Sequence, residues 1–164
     1  MTKDCIEVSF VISVYGQLEH TKRCLLELKK TLISEISYEV LIVDDASKDG
    51  TPKFLRTLDS RYRTFYNETN KGFAQNNNFA ANQANGKYLC FLNNDVFVQG
   101  NWLLPMLEVF KTNDKYGFEV IILANDKNYY KFQWIVEKYY NDGALKDCWL
   151  TTMVSAPMPL GSSI

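Results

Sequence analysis

GKYLCFLNNDV, residues 86–96, decides how the rest of the chain is read. Tyr88–Leu92 is an unbroken apolar run that follows a turn signal, Gly86, and ends in the polar cluster Asn93-Asn94-Asp95. Apolar residues without alternation predict a strand covered on both faces, as in a parallel sheet. In an open α/β sheet, ligands gather beyond the carboxyl ends of the strands. A carboxylate at that place, with no basic residue between positions 92 and 99, suits a hard divalent cation. Such cations take oxygen ligands, and Mg²⁺ often combines one or two carboxylates with substrate phosphates. Taken alone, Asn-Asn-Asp is an ordinary turn, because these residues favour turns for local reasons. The chain before it changes that balance.

Val8–Val14, VSFVISV, is a β-branched apolar run and the first predicted strand. Tyr15-Gly16-Gln17 breaks it. Residues 18–33 then carry Leu18, Leu25, Leu28 and Leu32 at helical spacing, with Thr21 filling the missing step. Tyr38–Val43 is the second strand, so strand, helix and strand form a βαβ unit with a parallel pair. This strand also ends in acid, Asp44-Asp45. Thr51-Pro52 reads as the start of a short helix, with threonine as N-cap and Phe54, Leu55 and Leu58 turned inward. Thr64–Asn67 is a third strand.

A third helix opens at Asn70-Lys71-Gly72-Phe73, with Phe73, Asn77, Ala80 and Ala84 as its inner stripe. Small alanines allow close approach to a sheet. Asn77 on that stripe is unexpected for a helix that only packs, since a buried amide without partners costs about 1–3 kcal/mol. Residues 102–110 read as a helix and 119–123 as a strand, while 129–140 is aromatic-rich and fits strand or helix. The tail from Ser155 has two prolines and no regular period.

Composition bounds the rest. The 164 residues suffice for one domain with a real core, so a single unit is expected, better supported over 8–125 than over 126–164. Hydrophobic residues make up 46% and the net charge is −1, which gives no overall pull toward nucleic acid or anionic membrane. The four cysteines are scattered without a C-x-x-C pair, and Cys24 and Cys90 fall on apolar faces, so they read as small core residues in a reducing compartment. One histidine, His20, argues against a Cys/His metal centre. No G-x-x-x-x-G-K-[ST] motif occurs. The N-terminus is unlike a signal peptide, and no apolar run reaches membrane-spanning length.

Three strand ends therefore carry polar groups: Ser13/Tyr15, Asp44/Asp45 and Asn93/Asn94/Asp95. VSFVISVYGQ, EVLIVDDASKDGT and NKGFAQNNNFAANQANGKYLCFLNND, in this order, resemble the family 2 glycosyltransferases of the GT-A fold, over about residues 8–110. The third-helix asparagines and the Asn-Asn-Asp tripeptide are most similar to the rhamnosyltransferase-like branch. The resemblance implies an α/β, GT-A (Rossmann-like), mostly parallel sheet flanked by helices, shortened on the C-terminal acceptor side. It also implies a nucleotide-diphospho-sugar donor (UDP-, dTDP- or GDP-linked), a glycan or lipid-linked acceptor, no nucleic acid partner, and a divalent metal, Mg²⁺ or Mn²⁺. A cytoplasmic location is implied, with peripheral association at the inner face of a membrane left open.

Residue by residue, the resemblance gives Asp44 as acceptor for the imide N–H of a pyrimidine base, flanked by Ser13, Val14 and Tyr15. Asp45 binds ribose or shapes the metal site. Asp95 aligns with the last acid of the family's DxD motif and holds the metal against the diphosphate. Asn93 replaces that motif's first acid, with Asn94 beside it. Lys71, Gly72 and Asn77 line the diphosphate side. Relatives often carry arginine at the position of Asn77, and Lys71 is then the substitute cation. An inverting transferase also needs a general base. No Glu-Asp pair follows Asp95, and Glu119, Asp126, Glu137, Asp142 and Asp147 are undistinguished candidates. Two alternatives remain: a non-catalytic nucleotide-sugar-binding domain that lacks the base, and a nucleotidyltransferase. The second is disfavoured because VYGQLEH offers one glycine and no cation before Lys22.

Overall fold

The computed structural model describes residues 6–32, 35–98, 100–112, 118–124 and 130–137. Four strands, β1 (Val8–Val14), β2 (Tyr38–Asp44), β3 (Tyr62–Tyr66) and β4 (Tyr88–Asn93), run parallel. Two more, β5 (Phe118–Ala124) and β6 (Tyr130–Glu137), form an antiparallel pair, and β6 lies antiparallel along the outer edge of β4. The sheet order is β3-β2-β1-β4-β6-β5. The aromatic segment that periodicity left open is thus a strand, because β4 offers an unpaired edge to its β-branched and aromatic residues.

Side-chain alternation sorts the core into two layers. Val8, Phe10, Ile12, Val14, Val40, Ile42, Tyr88, Cys90 and Leu92 face α1 (Leu18–Thr31) and α4 (Leu103–Thr112), packing on Cys24, Leu25, Leu28, Trp102, Leu103 and Leu107. Val11, Leu41, Val43, Leu89 and Phe91 face α3 (Phe73–Gln83), where Ala80, Ala81 and Ala84 bring the helix close. Both sheet faces are covered, which explains the unbroken apolar runs of β1, β2 and β4. Cys24 and Cys90 are buried free thiols in the α1 layer, and burial pushes Cys24 up to about 12.

Three local expectations change. The short helix α2 is Thr51–Leu55, and Thr51 is its first helical residue rather than its cap. The N-cap is Gly50, and Asp49 before it satisfies the first helical amide, its Oδ1 accepting from the Thr51 N–H at 2.9 Å. Strand β3 begins at Tyr62, two residues early, since its register with β2 runs from Val40↔Tyr62 to Asp44↔Tyr66. Phe73 is exposed rather than inward, because it sits at the first position of α3, beyond the sheet edge; Asn77, Ala80 and Ala84 keep the inner stripe.

At the far edge of the sheet, where β4 starts, a buried polar group fixes the layers. Glu39 Oε1 accepts from Ser9 Oγ at 2.7 Å and from the Asn85 N–H at 2.6 Å, and Oε2 accepts from Arg63 at 2.8 Å. Ser9 Oγ in turn accepts from the Gly86 N–H at 2.8 Å. Gly86 has no room for a side chain: a Cβ there would lie 2.6 Å from the Ser9 backbone nitrogen.

Candidate functional site

The opposite edge gathers the carboxyl ends of the parallel strands. In register, Ser13 lies beside Asn93 and Val14 beside Asp44. Adjacent strands sit about 4.8 Å apart, so these four positions form one short rim. The Asp45 N–H extends it by donating to the Val14 carbonyl at 2.8 Å. Alternation sends Ser13, Asp45 and Asn93 to the α3 side and Asp44 to the α1 side.

On the α3 side, Asp45 is the hub. Its Oδ1 accepts from the Lys71 N–H at 2.7 Å and from Asn67 Nδ2 at 2.9 Å, and its Oδ2 accepts from the Gly72 N–H at 3.0 Å. Burial alone would raise this carboxyl; the donors from Lys71, Asn67, Asn76 and Gly72 outweigh it and hold the group below its ordinary value. Asn67 Nδ2 also donates to Asn76 Oδ1 at 2.7 Å, and Asn76 Nδ2 donates to Ser13 Oγ at 3.2 Å. Asp45 thus spends its carboxylate on shaping the loop that opens α3. That loop needs glycine, since Gly72 holds φ +83. Lys71 itself is exposed.

Asn77, the next residue on α3, is 1% exposed. Neither its Oδ1 nor its Nδ2 has a hydrogen-bond partner among the described residues. Two orphaned amide atoms on the sheet-facing stripe, one turn above Ala80 and Ala81, are hard to explain by packing.

On the α1 side, Asp44 is 2% exposed, and its Oδ1 lacks a partner among the described residues. Burial is the main reason its carboxyl sits above the ordinary value; the Ser47 hydroxyl and N–H pull it down, and neighbouring Asp49 and Asp45 push it up again. Ser47 Oγ also accepts from the Gly16 N–H at 2.7 Å. Asp49 Oδ2 accepts from the Leu18 N–H at 3.2 Å while its Oδ1 meets the first amide of α2. One carboxylate therefore serves the amino ends of both α1 and α2. Tyr15, 58% exposed, projects from the loop these bonds hold. Ala46 adopts φ +62, a strained value for a residue with a Cβ.

After β4 the chain makes a tight turn, in which the Val96 N–H donates to the Asn93 carbonyl at 3.1 Å. Asn94 and Asp95 are its central residues. Asn94 does not face the rim with its amide nitrogen: Nδ2 donates to Thr21 Oγ1 of α1 at 3.1 Å.

The donor-side residues singled out in the sequence, Ser13, Val14, Tyr15, Asp44, Asp45, Lys71, Gly72, Asn77, Asn93, Asn94 and Asp95, thus lie at the carboxyl ends of the parallel strands or in the loops and helix start that follow them. Sequence reasoning missed Ser47, Asp49, Asn67 and Thr21, which hold the rim, whereas Asn76 makes the kind of bond to neighbouring loops that an inward asparagine on this helix suggests. The pattern Ser-x-Asp-Gly-Thr before a helix was the readable signal for the first two, since Asx and Ser side chains cap and turn the backbone locally. Nothing in the sequence marks Asn67 or Thr21 as partners of residues 22 and 73 positions away.

For a divalent cation, the donor set offered here is Asp95, with the amide oxygen of Asn93 nearby in sequence, while Asp45 is committed to protein donors. No group of three or more Asp, Glu, His or Cys side chains converges among the described residues. Mg²⁺-type ions are commonly bound through one or two carboxylates with substrate phosphates rather than in an all-protein cage, and Asp95 would be such a carboxylate. Of the candidate bases, Glu137 pairs with Tyr88, at the end of β4 away from the rim, and Glu119 pairs with Ile135, which lies opposite Cys90 in mid-sheet. Asp126, Asp142 and Asp147 lie outside the described residues.

A mostly parallel, doubly covered sheet with an acid-rich rim at its carboxyl edge defines a ligand-binding α/β domain of the GT-A class. The model of the glycosyl transferase family 2 matches residues 9–162, and the chain belongs to that family. It is 30% identical over 106 residues to glycosyltransferase AglE of Haloferax volcanii, covering 63% of this chain and 35% of AglE. Among solved structures it resembles the mannosyltransferase PcManGT of Pyrobaculum calidifontis, in complex with GDP-Man and Mn²⁺, with a TM-score of 0.61 and 20% identity over 68% of this chain and 34% of that one. It also resembles S. aureus TarS in complex with UDP-GlcNAc, with a TM-score of 0.59 and 23% identity over 68% of this chain and 33% of that one. The chain spans about a third of the length of each.

Proposed function

We propose that this domain binds a nucleotide-diphospho-sugar with a divalent cation and transfers the sugar to a glycan or lipid-linked acceptor at the inner face of a membrane. The observation that carries the reading is the buried Oδ1 of Asp44 at the rim, which has no hydrogen-bond partner among the described residues. An unsatisfied buried acceptor calls for an external donor, and the imide N–H of a uracil or thymine ring supplies one. Tyr15 covers the base, and the orphaned amide of Asn77 receives polar groups of the diphosphate or sugar. Asp95, with Asn93 beside it, holds the cation. The cation neutralises the charge that builds on the departing diphosphate when the sugar–phosphate bond breaks.

Asp95 being the one carboxylate assigned to the cation, metal and nucleotide bind together and neither binds well alone. Calorimetry with UDP, dTDP and GDP, each with and without Mn²⁺, tests this. At least one nucleotide should bind at least tenfold more tightly with Mn²⁺. Asp95→Ala should abolish that gain and leave the melting temperature nearly unchanged. Equal affinity with and without metal defeats the role given to Asp95, and a large loss of stability in the variant marks it as a turn residue only. A second reading is binding without turnover: among the described residues, the register places the candidate base Glu137 at the end of the sheet away from the rim. Absence of donor hydrolysis and of transfer to a mixed glycan panel under saturating Mn²⁺ selects it.

A further inference from the structure

We infer that Thr21, on the inner face of α1, is a positioning residue that aims Asp95 by holding Asn94. The inference rests on the reading of Asp95 as the cation's carboxylate. Thr21 is fully buried, and its Oγ1 accepts the Asn94 Nδ2 bond at 3.1 Å. Asn94 and Asp95 are the two central residues of the turn closed by Val96 and Asn93. Fixing the side chain of the first fixes the plane of the turn and so the direction in which the second presents its carboxylate.

The rest of α1 grips the same segment. Cys24 Sγ donates weakly to the Asn93 carbonyl at 3.6 Å. The His20 ring stacks on Phe97 at 6.3 Å between centroids and 12° between planes, and the Arg23 guanidinium lies 4.0 Å from the Phe97 ring centre. Residues 20, 21, 23 and 24 thus hold residues 93, 94 and 97. Phe97 and Asn93 anchor the ends of the segment, and Thr21 engages one of the turn's central residues. The Asn94 amide nitrogen therefore serves the site through the helix behind it. Outer partners that orient a metal-binding group change metal affinity about 10–100-fold when removed.

Calorimetry with UDP, dTDP and GDP, with and without Mn²⁺, on wild type, Thr21→Val, Thr21→Ser, Asn94→Ala and Thr21→Val/Asn94→Ala reads the effect. Thr21→Val should weaken Mn²⁺-dependent nucleotide binding roughly tenfold and leave metal-free binding unchanged. Thr21→Ser, which keeps the hydroxyl, should restore it. Asn94→Ala should show the same loss, and adding Thr21→Val to it should change nothing more, because the two act in one chain. Asn94 is half-exposed, so Asn94→Ala reads the contact even if Thr21→Val does not fold. Unchanged metal dependence, equal weakening with and without metal, or additive losses in the double variant overturns the assignment. If wild type binds no nucleotide with Mn²⁺, the proposed function falls. The pin is then read on its own by amide exchange at Val96, which Thr21→Val should accelerate roughly tenfold; an unchanged rate overturns it.

Discussion

Asp44 and Asp45 are adjacent in sequence and opposite in chemistry. Asp45 is surrounded by donors and held ionised, whereas Asp44 is buried with one oxygen unpartnered among the described residues. The first is a structural anchor, and the second, under the proposed function, meets the nucleotide base. Asp45→Asn keeps the size of the side chain but turns an amide NH₂ toward the N–H groups of Lys71 or Gly72. Bonds to a charged acceptor are worth about 1.5–3 kcal/mol, so the variant should lose roughly that much in chemical denaturation at neutral pH. Exchange at the Lys71 and Gly72 amides should quicken with it. A variant as stable as the parent shows that the three bonds contribute nothing net. The sequence signalled that both acids mattered, because a β-branched run ended on them. It could not separate their roles, since those follow from which face each occupies and from donors 22 to 27 residues away.

At the scale of elements, β1, α1, β2 and β4 were legible because their apolar residues follow the periods of strands covered on both faces or of a helix with one buried stripe. Helix α3 was legible by its alanines. The start of β3 was not, because Tyr62–Tyr66 is half-buried along most of its length and no clean pattern marks where pairing begins. The choice of strand for β6 was equally hidden: it depends on the vacant edge of β4, a property of the sheet and not of the segment. The junction of α3 and β4 rests on Gly86. Gly86→Ala would put a methyl group 2.6 Å from the Ser9 nitrogen, against backbone that cannot swing aside. The first strands must then separate, and a loss of about 1–3 kcal/mol is expected in denaturant titration, with an unchanged m-value. A neutral outcome means that the turn at Asn85-Gly86 is loose.

For the whole molecule, the two edges of the sheet respond to acid in different ways. Burial works to raise Glu39, but the Asn85 N–H, Arg63 and Ser9 hold it below its ordinary value of 4.5. Asp45 is likewise held below 3.8. Groups with lowered folded values stabilise fully above their unfolded values, and that contribution disappears as pH falls through the folded ones. Asp44 has the reverse sign: its folded value is raised, so protonation favours the folded state. Asp49 and Asp59 are held below 3.8 as well, so four lowered groups against one predict that stability declines once the pH drops below about 4.5. Glu39→Gln should flatten the decline measured by denaturation between neutral pH and pH 3; identical pH profiles would remove Glu39 from the account. The general architecture was readable from composition and order of motifs, down to the rim. The acceptor half was not, since no residue pattern after Asp95 announces a base.

The carboxylate of Asp49 has a consequence for how the rim meets a guest. By tying the first turns of α1 and α2 together, it yokes the tyrosine-bearing loop to the segment that follows Asp44. The two cannot swing apart without breaking a shared clasp, so they move as one jaw. Under the proposed function, the base then meets a preset wall, and adjustment to the diphosphate and its sugar falls to the other side of the rim, formed by the start of α3 and the bend at residues 93–96.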